Sequence, residues 1–209
     1  MFKESISQEM SLVLKKISQS DLVEKFYLAG GTALAIQLGH RESIDLDWFC
    51  QTDFSNQEIK AVLSVLGNFQ VTSESAGTIN GILDQVRVSF LRYPYKLIFP
   101  LLDFEKIKMA DERDIAAMKV DATSSRGSKK DFIDIFFLLK RYSLEEIIGF
   151  FEKKYAEINY NKLHILKSLV YFNDADDEPA PIMLQEVDWE EVKKNIKEKV
   201  KEWLVAGQK

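Results

Sequence analysis

Cysteine is nearly absent from this chain, with one residue, Cys50, in 209. An internal disulfide is therefore excluded, and the composition suits a reducing compartment, with Cys50 read as a small core hydrophobe. Histidine is almost as scarce, at two residues, and His164 has no second ligand near it, which favours a structural histidine over a metal site. No apolar run approaches the roughly 20 residues that span a bilayer, and the N-terminus, Met-Phe-Lys-Glu-Ser-Ile-Ser-Gln-Glu-Met, has no apolar h-region. The expectation is a cytoplasmic protein with no membrane partner.

What is present is enough apolar sequence, 46% of the chain, to bury a sizeable core in one domain or two small ones. The net charge of −5 argues against a general nucleic-acid binder, but the charge is uneven. Eight acidic residues and no Lys or Arg lie between Asp174 and Glu191, whereas Asp84–Val170 holds 16 basic and 13 acidic residues. A basic middle beside an acidic flank is compatible with an anion bound locally, and equally with solvated surface.

The most informative stretch is 28–49. The apolar run Phe26-Tyr-Leu-Ala29 stops at Gly30-Gly31, as a buried strand does at a tight turn. Thr32 then opens Thr-Ala-Leu-Ala-Ile-Gln-Leu, a run of good helix formers that Thr32 can cap and Gly39 can end. Glycines at a helix N-terminus let an anion approach free backbone N–H groups. Next, Ser43-Ile-Asp-Leu-Asp-Trp-Phe alternates. Period two puts Asp45 and Asp47 on one face, about 7 Å apart along a strand, with Ile44, Leu46 and Trp48 on the other. Two such carboxylates can share Mg²⁺, which keeps several waters and takes other ligands from substrate phosphates.

Downstream, helices are expected over 5–18, from a Ser55–Glu58 capping box to Gly67, and strands over 69–74, 78–83 and 85–93, with Gly77 and Gly81 at turns. Strand signals stop near 111. A helix opened by Asp111 with Asp114 three residues on places Ile115, Met118, Lys119 and Ala122 on one face. Lys119 reads either as a lysine laying its stem on the core with its tip in water, or as a fixed cation for phosphates. The helix from Ser128 is apolar almost all round and thus buried. In it Asp131 can be a capping acid for Ser128, while Asp134, one turn inside, needs a partner such as Lys119, Arg126, a backbone cap or a substrate hydroxyl. Ser143–Glu146 caps a further helix, Tyr160–Phe172 forms another, Asn173–Gln185 reads as a mobile acidic loop, and Trp189, Val192, Ile196, Val200 and Trp203 form an amphipathic stripe.

Strand, Gly-Gly-Thr, helix and Asp-x-Asp strand together resemble the nucleotidyltransferase superfamily. The fuller string Leu-Ala-Gly-Gly-Thr-Ala-Leu-Ala with His-Arg-x-Ser-x-Asp-Leu-Asp resembles its AbiEii branch of abortive-infection and toxin–antitoxin enzymes. Ala117-Met-Lys119, Ala122, Arg126 and Lys130-Asp-Phe-Ile-Asp134 are similar to that branch's second motif. The resemblance implies an α/β (α+β) nucleotidyltransferase-like domain with a mixed sheet over 1–110, and an all-helical domain over 111–209 that contributes Lys119 and Asp131 or Asp134 to the cleft. It further implies Mg²⁺ or Mn²⁺ on Asp45 and Asp47, and an NTP bound by Gly30, Gly31, Thr32, Arg41, Ser43, Lys119 and Arg126. Asp131 or Asp134 would be the distal catalytic carboxylate, RNA or tRNA the acceptor, and a cognate antitoxin the regulatory partner. At the family's third-acid position this chain has Ser89, which favours one metal over two and leaves Asp84 and Asp103 as nearby substitutes. The alternatives are a small-molecule or protein acceptor, or a degenerate domain that binds nucleotide without turnover.

Overall fold

Met10, Val13, Leu14 and Ile17 recur at helical spacing, and α1 (Gln8–Ile17) buries all four against the first of two units of the chain. Ser7 caps it, its Oγ accepting from the Met10 N–H at 3.2 Å. The computed structural model describes residues 1–206, and its two compact units divide after Asp111. In the first unit follow α2 (Leu22–Lys25), β1 (Tyr27–Ala29), α3 (Gly30–Leu38), β2 (Asp45–Cys50), α4 (Asn56–Leu66), β3 (Phe69–Ser75), β4 (Thr78–Leu83), β5 (Val86–Arg92), β6 (Leu102–Phe104) and β7 (Ile107–Met109).

The seven strands form one mixed sheet in the order β3-β4-β5-β2-β1-β7-β6. β2, the Asp-x-Asp strand, is the middle one, parallel to β5 and antiparallel to β1. Its centrality follows from its apolar face: Leu46 and Trp48 are fully buried, and Trp48 stacks on its register partner Phe90 with centroids 6.1 Å apart. Each large side chain so buried contributes about 1.5–3 kcal/mol. Ile44, expected on that face, is 63% exposed because the strand begins one residue later.

Two hairpins turn on residues that give little sequence signal. Asp84-Gln85 and Glu105-Lys106 all have positive φ, the geometry of a two-residue primed turn, which Asn-Gly or Asp-Gly would have advertised. The β6–β7 hairpin was for this reason absent from the sequence expectation. Gly81, expected at a turn, lies inside β4 with the Phe69 ring over it. Ser55 precedes α4 as expected but makes no side-chain cap bond.

The second unit consists, in its named elements, of helices: α5 (Glu112–Ser125), α6 (Lys129–Leu139), α7 (Leu144–Lys154), α8 (Lys162–Ser168), α9 (Asn173–Asp176) and α10 (Trp189–Ala206). Ser143 and Glu146 complete the capping box of α7. The α10 stripe buries Val192, Ile196 and Val200. Within the acidic segment Asn173–Gln185, expected as a mobile loop, the first four residues are helical and two carboxylates are bonded to neighbouring helices. Glu178 accepts from the Lys129 N–H at 2.8 Å, capping α6, and Asp176 accepts from Trp189 Nε1 at 2.8 Å and Lys193 Nζ at 2.9 Å. α8 is accordingly shorter than the expected helix, with Asn161 as its cap.

Asp114, the acid three residues after Asp111, is fully buried near the start of α5. It pairs with Lys154 at 2.8 Å, both side chains 0% exposed, and so ties α5 to α7. Breaking a buried pair strands a charge, so Lys154→Ala should lower unfolding stability by about 3–5 kcal/mol in urea denaturation. Lys154→Met combined with Asp114→Leu should recover most of that loss.

Candidate active site

In the first unit a candidate site is built where β1 hands over to α3 beside β2. Ala29 and Asp47 are register partners across the antiparallel pair, which brings the Asp47 carboxylate against the start of the helix. Gly30 has φ +68, and a Cβ there would meet Asp47 Oδ2 at 3.0 Å, so backbone and neighbour both require glycine. At Gly31 a Cβ would lie 2.6 Å from Arg41 Nη2, because the guanidinium reaches back across that residue. Arg41 is 3% exposed and its Nη1 donates to the Glu42 carbonyl at 2.9 Å.

Thr32, expected to cap α3, does something else. The helix starts two residues before it, at Gly30, with no side-chain cap. The Thr32 hydroxyl bonds instead to the Asp45 carbonyl and, at 2.7 Å, to Ser43 Oγ. Thr32 is 1% and Ser43 9% exposed, and Ser43 N–H donates to the Ser5 carbonyl at 2.8 Å. These residues lock the entry of β2 to the start of α3. The unpaired N–H groups of the first turn of α3, at Gly30 and Gly31, are then what this end offers an anion.

Asp45 and Asp47 share a face of β2 as expected, both half-buried. Asp45 Oδ1 is enclosed and accepts no hydrogen bond; Arg87 Nη1, on a side chain 70% exposed, is 3.8 Å away. A carboxylate oxygen buried in that way is costly unless a cation meets it. Two hard carboxylate oxygens, one of them orphaned, fit Mg²⁺ or Mn²⁺. Among the described residues no group of three His, Cys, Asp or Glu forms a complete cage. Ser89 is the register partner of Asp47 on β5, so a hydroxyl stands next to the pair. Neither proposed substitute replaces it. Asp84 is held in the β4–β5 turn by Lys16 Nζ at 2.5 Å and the Asn68 N–H at 2.9 Å, and Asp103 lies on the sheet-edge strand β6, paired with Lys108 at 2.7 Å.

The helical unit holds a buried charge cluster of its own. Lys119 Nζ lies 2.8 Å from Asp131 Oδ1 and 2.7 Å from Asp134 Oδ2, with Lys119 4% and both aspartates 0% exposed. This gives Asp134 the partner it required and overturns the reading of Lys119 with its tip in water. Arg126 bonds Asp131 through Nε at 2.8 Å and Nη2 at 3.1 Å, and Ser128 Oγ donates to Oδ2 at 2.7 Å. Burial alone would push the Asp131 pKa up; the Lys119 charge and the Arg126 bonds outweigh it and hold the carboxyl well below the usual range. Two cations and two anions leave the cluster neutral. Its exposed member is Arg126, whose side chain is 59% accessible. Spacing in sequence did not reveal that Arg126 closes over Asp131, because the Gly127 turn between them sets the approach.

A glycine-opened helix against an Asp-x-Asp strand, in the middle of a mixed sheet, defines the nucleotidyltransferase class of site. Over residues 12–206 the chain matches the family described as nucleotidyl transferase AbiEii toxin, type IV TA system, and it belongs to that family. It is thus a nucleotidyltransferase of the toxin–antitoxin kind. It is 37% identical over 211 residues to an uncharacterized protein of Aquifex aeolicus strain VF5, covering 95% of this chain and 98% of that one. The fold is similar to that of JHP933 from Helicobacter pylori (TM-score 0.57, 15% identity, 97% of this chain and 96% of that one). It is also similar to MenT4, a nucleotidyltransferase toxin of Mycobacterium tuberculosis (TM-score 0.57, 14% identity, 93% and 85%). Among the described residues no helix is long and apolar enough to cross a membrane.

Two predictions follow from this geometry. Gly30→Ala places an L-residue at positive φ against Asp47 and should cost about 1–2 kcal/mol of stability by thermal unfolding. Because the folded pKa of Asp131 is depressed, its contribution to stability is present above about pH 4 and is lost as pH falls toward the folded value. Between pH 7 and pH 3, wild type should therefore lose more stability in urea titrations than Asp131→Asn does.

Proposed function

We propose that the protein is a Mg²⁺-dependent nucleotidyltransferase that moves NMP from an NTP to a hydroxyl of RNA or tRNA. In this reading it works in the cytoplasm as a toxin restrained by a cognate antitoxin. The observation that carries the metal assignment is the orphaned, enclosed Oδ1 of Asp45 beside Asp47 on one strand face. Asp45 and Asp47 would hold the ion, with waters and triphosphate oxygens completing its shell, and when bound it would supply charge neutralisation at the α-phosphate. One metal is the reading that suits Ser89 at the third position.

The rest of the reaction falls to this chain's residues. Backbone N–H groups at Gly30 and Gly31 cradle phosphate. The acceptor hydroxyl oxygen attacks the α-phosphorus, a new P–O bond forms as its proton passes to solvent, the bond to the bridging oxygen breaks, and pyrophosphate leaves with that electron pair. Positioning and charge stabilisation supply most of the acceleration in phosphoryl transfer. In the unit we read as a helical domain, Arg126 is exposed enough to take a substrate phosphate. Its departure would leave Asp131 held by Lys119 and Ser128, with room to receive the acceptor hydroxyl. Against the effect of burial, the Lys119 charge and, with Arg126 in place, its hydrogen bonds and charge hold the Asp131 carboxyl well below the usual range, and the departure of Arg126 would release part of that hold as the acceptor hydroxyl is oriented. Lys119 and Asp134 position Asp131.

The test is label transfer from each of four α-³²P-labelled NTPs into total RNA and into the protein itself, with Mg²⁺ present. Wild type should label RNA, and Asp45→Asn and Asp47→Asn should each lower the yield at least 100-fold while melting normally. Bound nucleotide with no label in any fraction would instead mark a degenerate binding module, and label confined to protein or small molecules would move the acceptor class.

A further inference from the structure

A groove in the helical unit, about 330 Å³ in volume, runs from the C-terminal end of α5 to one face of α8 and the turn after it. It is unlike the rest of the surface in what it offers. His164, Lys167 and Tyr171 line it, all exposed, and their side chains make no hydrogen bond or ion pair among the described residues. Tyr171, 54% exposed, presents an aromatic ring with no core to pack on. Arg126 joins them from the other side while its Nε and Nη2 stay on Asp131. Four hydroxyl residues complete the lining, Thr123 buried and Ser124, Ser125 and Ser168 more open, and each hydroxyl donates to a carbonyl of its own helix, which leaves its oxygen able to accept.

That set selects a ligand chemistry. Lys167, His164 and Arg126 are donors that suit a phosphate, the hydroxyl oxygens and the α5 carbonyl end suit ribose hydroxyls or base amino groups, and a free tyrosine ring suits a stacked base. Asp174 on the rim is a further acceptor, and it disfavours a bare inorganic anion. The volume is at the small end for ligand sites, enough for about one nucleotide.

We propose that this groove is a binding site for a phosphorylated ribonucleotide unit, stacked on Tyr171 with its phosphate between Lys167 and Arg126. The proposal deepens the functional reading above: the unit is the terminal part of the acceptor strand, and its phosphate would draw Arg126 away from Asp131. It rests on that reading for the source of the ligand, and on the groove alone for its chemistry.

Binding measured without NTP or metal separates the two. A 5′-fluorescein ribo-oligonucleotide of ten residues is titrated by fluorescence anisotropy into the full chain, and unlabelled CMP and AMP are titrated separately by calorimetry. Lys167→Ala with Tyr171→Ala should weaken the oligonucleotide at least tenfold and reduce the slope of log affinity against log salt by about 0.7, the value for one lost contact to a single strand. Asp47→Asn should bind as wild type does, whether or not it transfers nucleotide. Mononucleotide binding that the double variant abolishes, with no oligonucleotide binding, would keep the groove and assign it to a free nucleotide. Oligonucleotide and mononucleotide affinities unchanged by the double variant, or no binding of either by wild type, would overturn the proposal. Both substitutions are at exposed positions, and an unchanged circular-dichroism melt identifies the effect as local.

Discussion

The Asp47 carboxylate lies so close to Gly30 that a Cβ there would meet Oδ2 at 3.0 Å, and this contact ties the Asp-x-Asp strand to the start of α3. It is made possible by an antiparallel register that sets Ala29 opposite Asp47, and by a residue able to take φ +68 at the start of α3. Helix start and Asp-x-Asp strand are thereby fixed to each other through a tight turn. Thr32, Ser43, Arg41 and Ser5 then secure the connection with buried hydrogen bonds. These bonds fix how β2 enters beside α3, and with it the positions of Asp45 and Asp47 on the strand.

The helical unit solves a different problem. Ionisable groups at Lys119, Asp131 and Asp134 are enclosed on helices that are otherwise core, and they persist because each charge meets its opposite at hydrogen-bond distance. Asp114 and Lys154 repeat the solution on α5 and α7. The two pairs differ in access. Lys154–Asp114 is sealed, whereas Asp131 is covered on one side by Arg126, which solvent reaches. Solvent reaches only the second, and the groove beside Arg126 is where we propose a ligand meets it.

Membership of the AbiEii family and the geometry of Asp45 and Asp47 were both legible in the amino-acid order. A period of two sets a carboxylate face on any strand, and a glycine pair before helix formers marks a turn whatever surrounds it. Helix limits at Gly39 and Gly67 and the capping box at Ser143 were readable for the same reason, since caps act over a few residues.

What sequence could not supply were partners brought from afar. That Thr32 bonds across to Ser43 and Asp45 and does not cap its own helix depends on the pairing of β1 with β2. That Asp103 is remote from Asp47 depends on strand order, which places three strand steps between β2 and β6. The tip of Lys119 lies between two aspartates because α5 and α6 are packed together, and Glu178 caps α6 across 49 residues of chain. The sequence by itself determined the residue types, their local periodicity and hence the class of chemistry. Only the tertiary structure decided which charges are satisfied, because a buried ion's state is set by neighbours within a few ångströms in space, and those neighbours are distant along the chain.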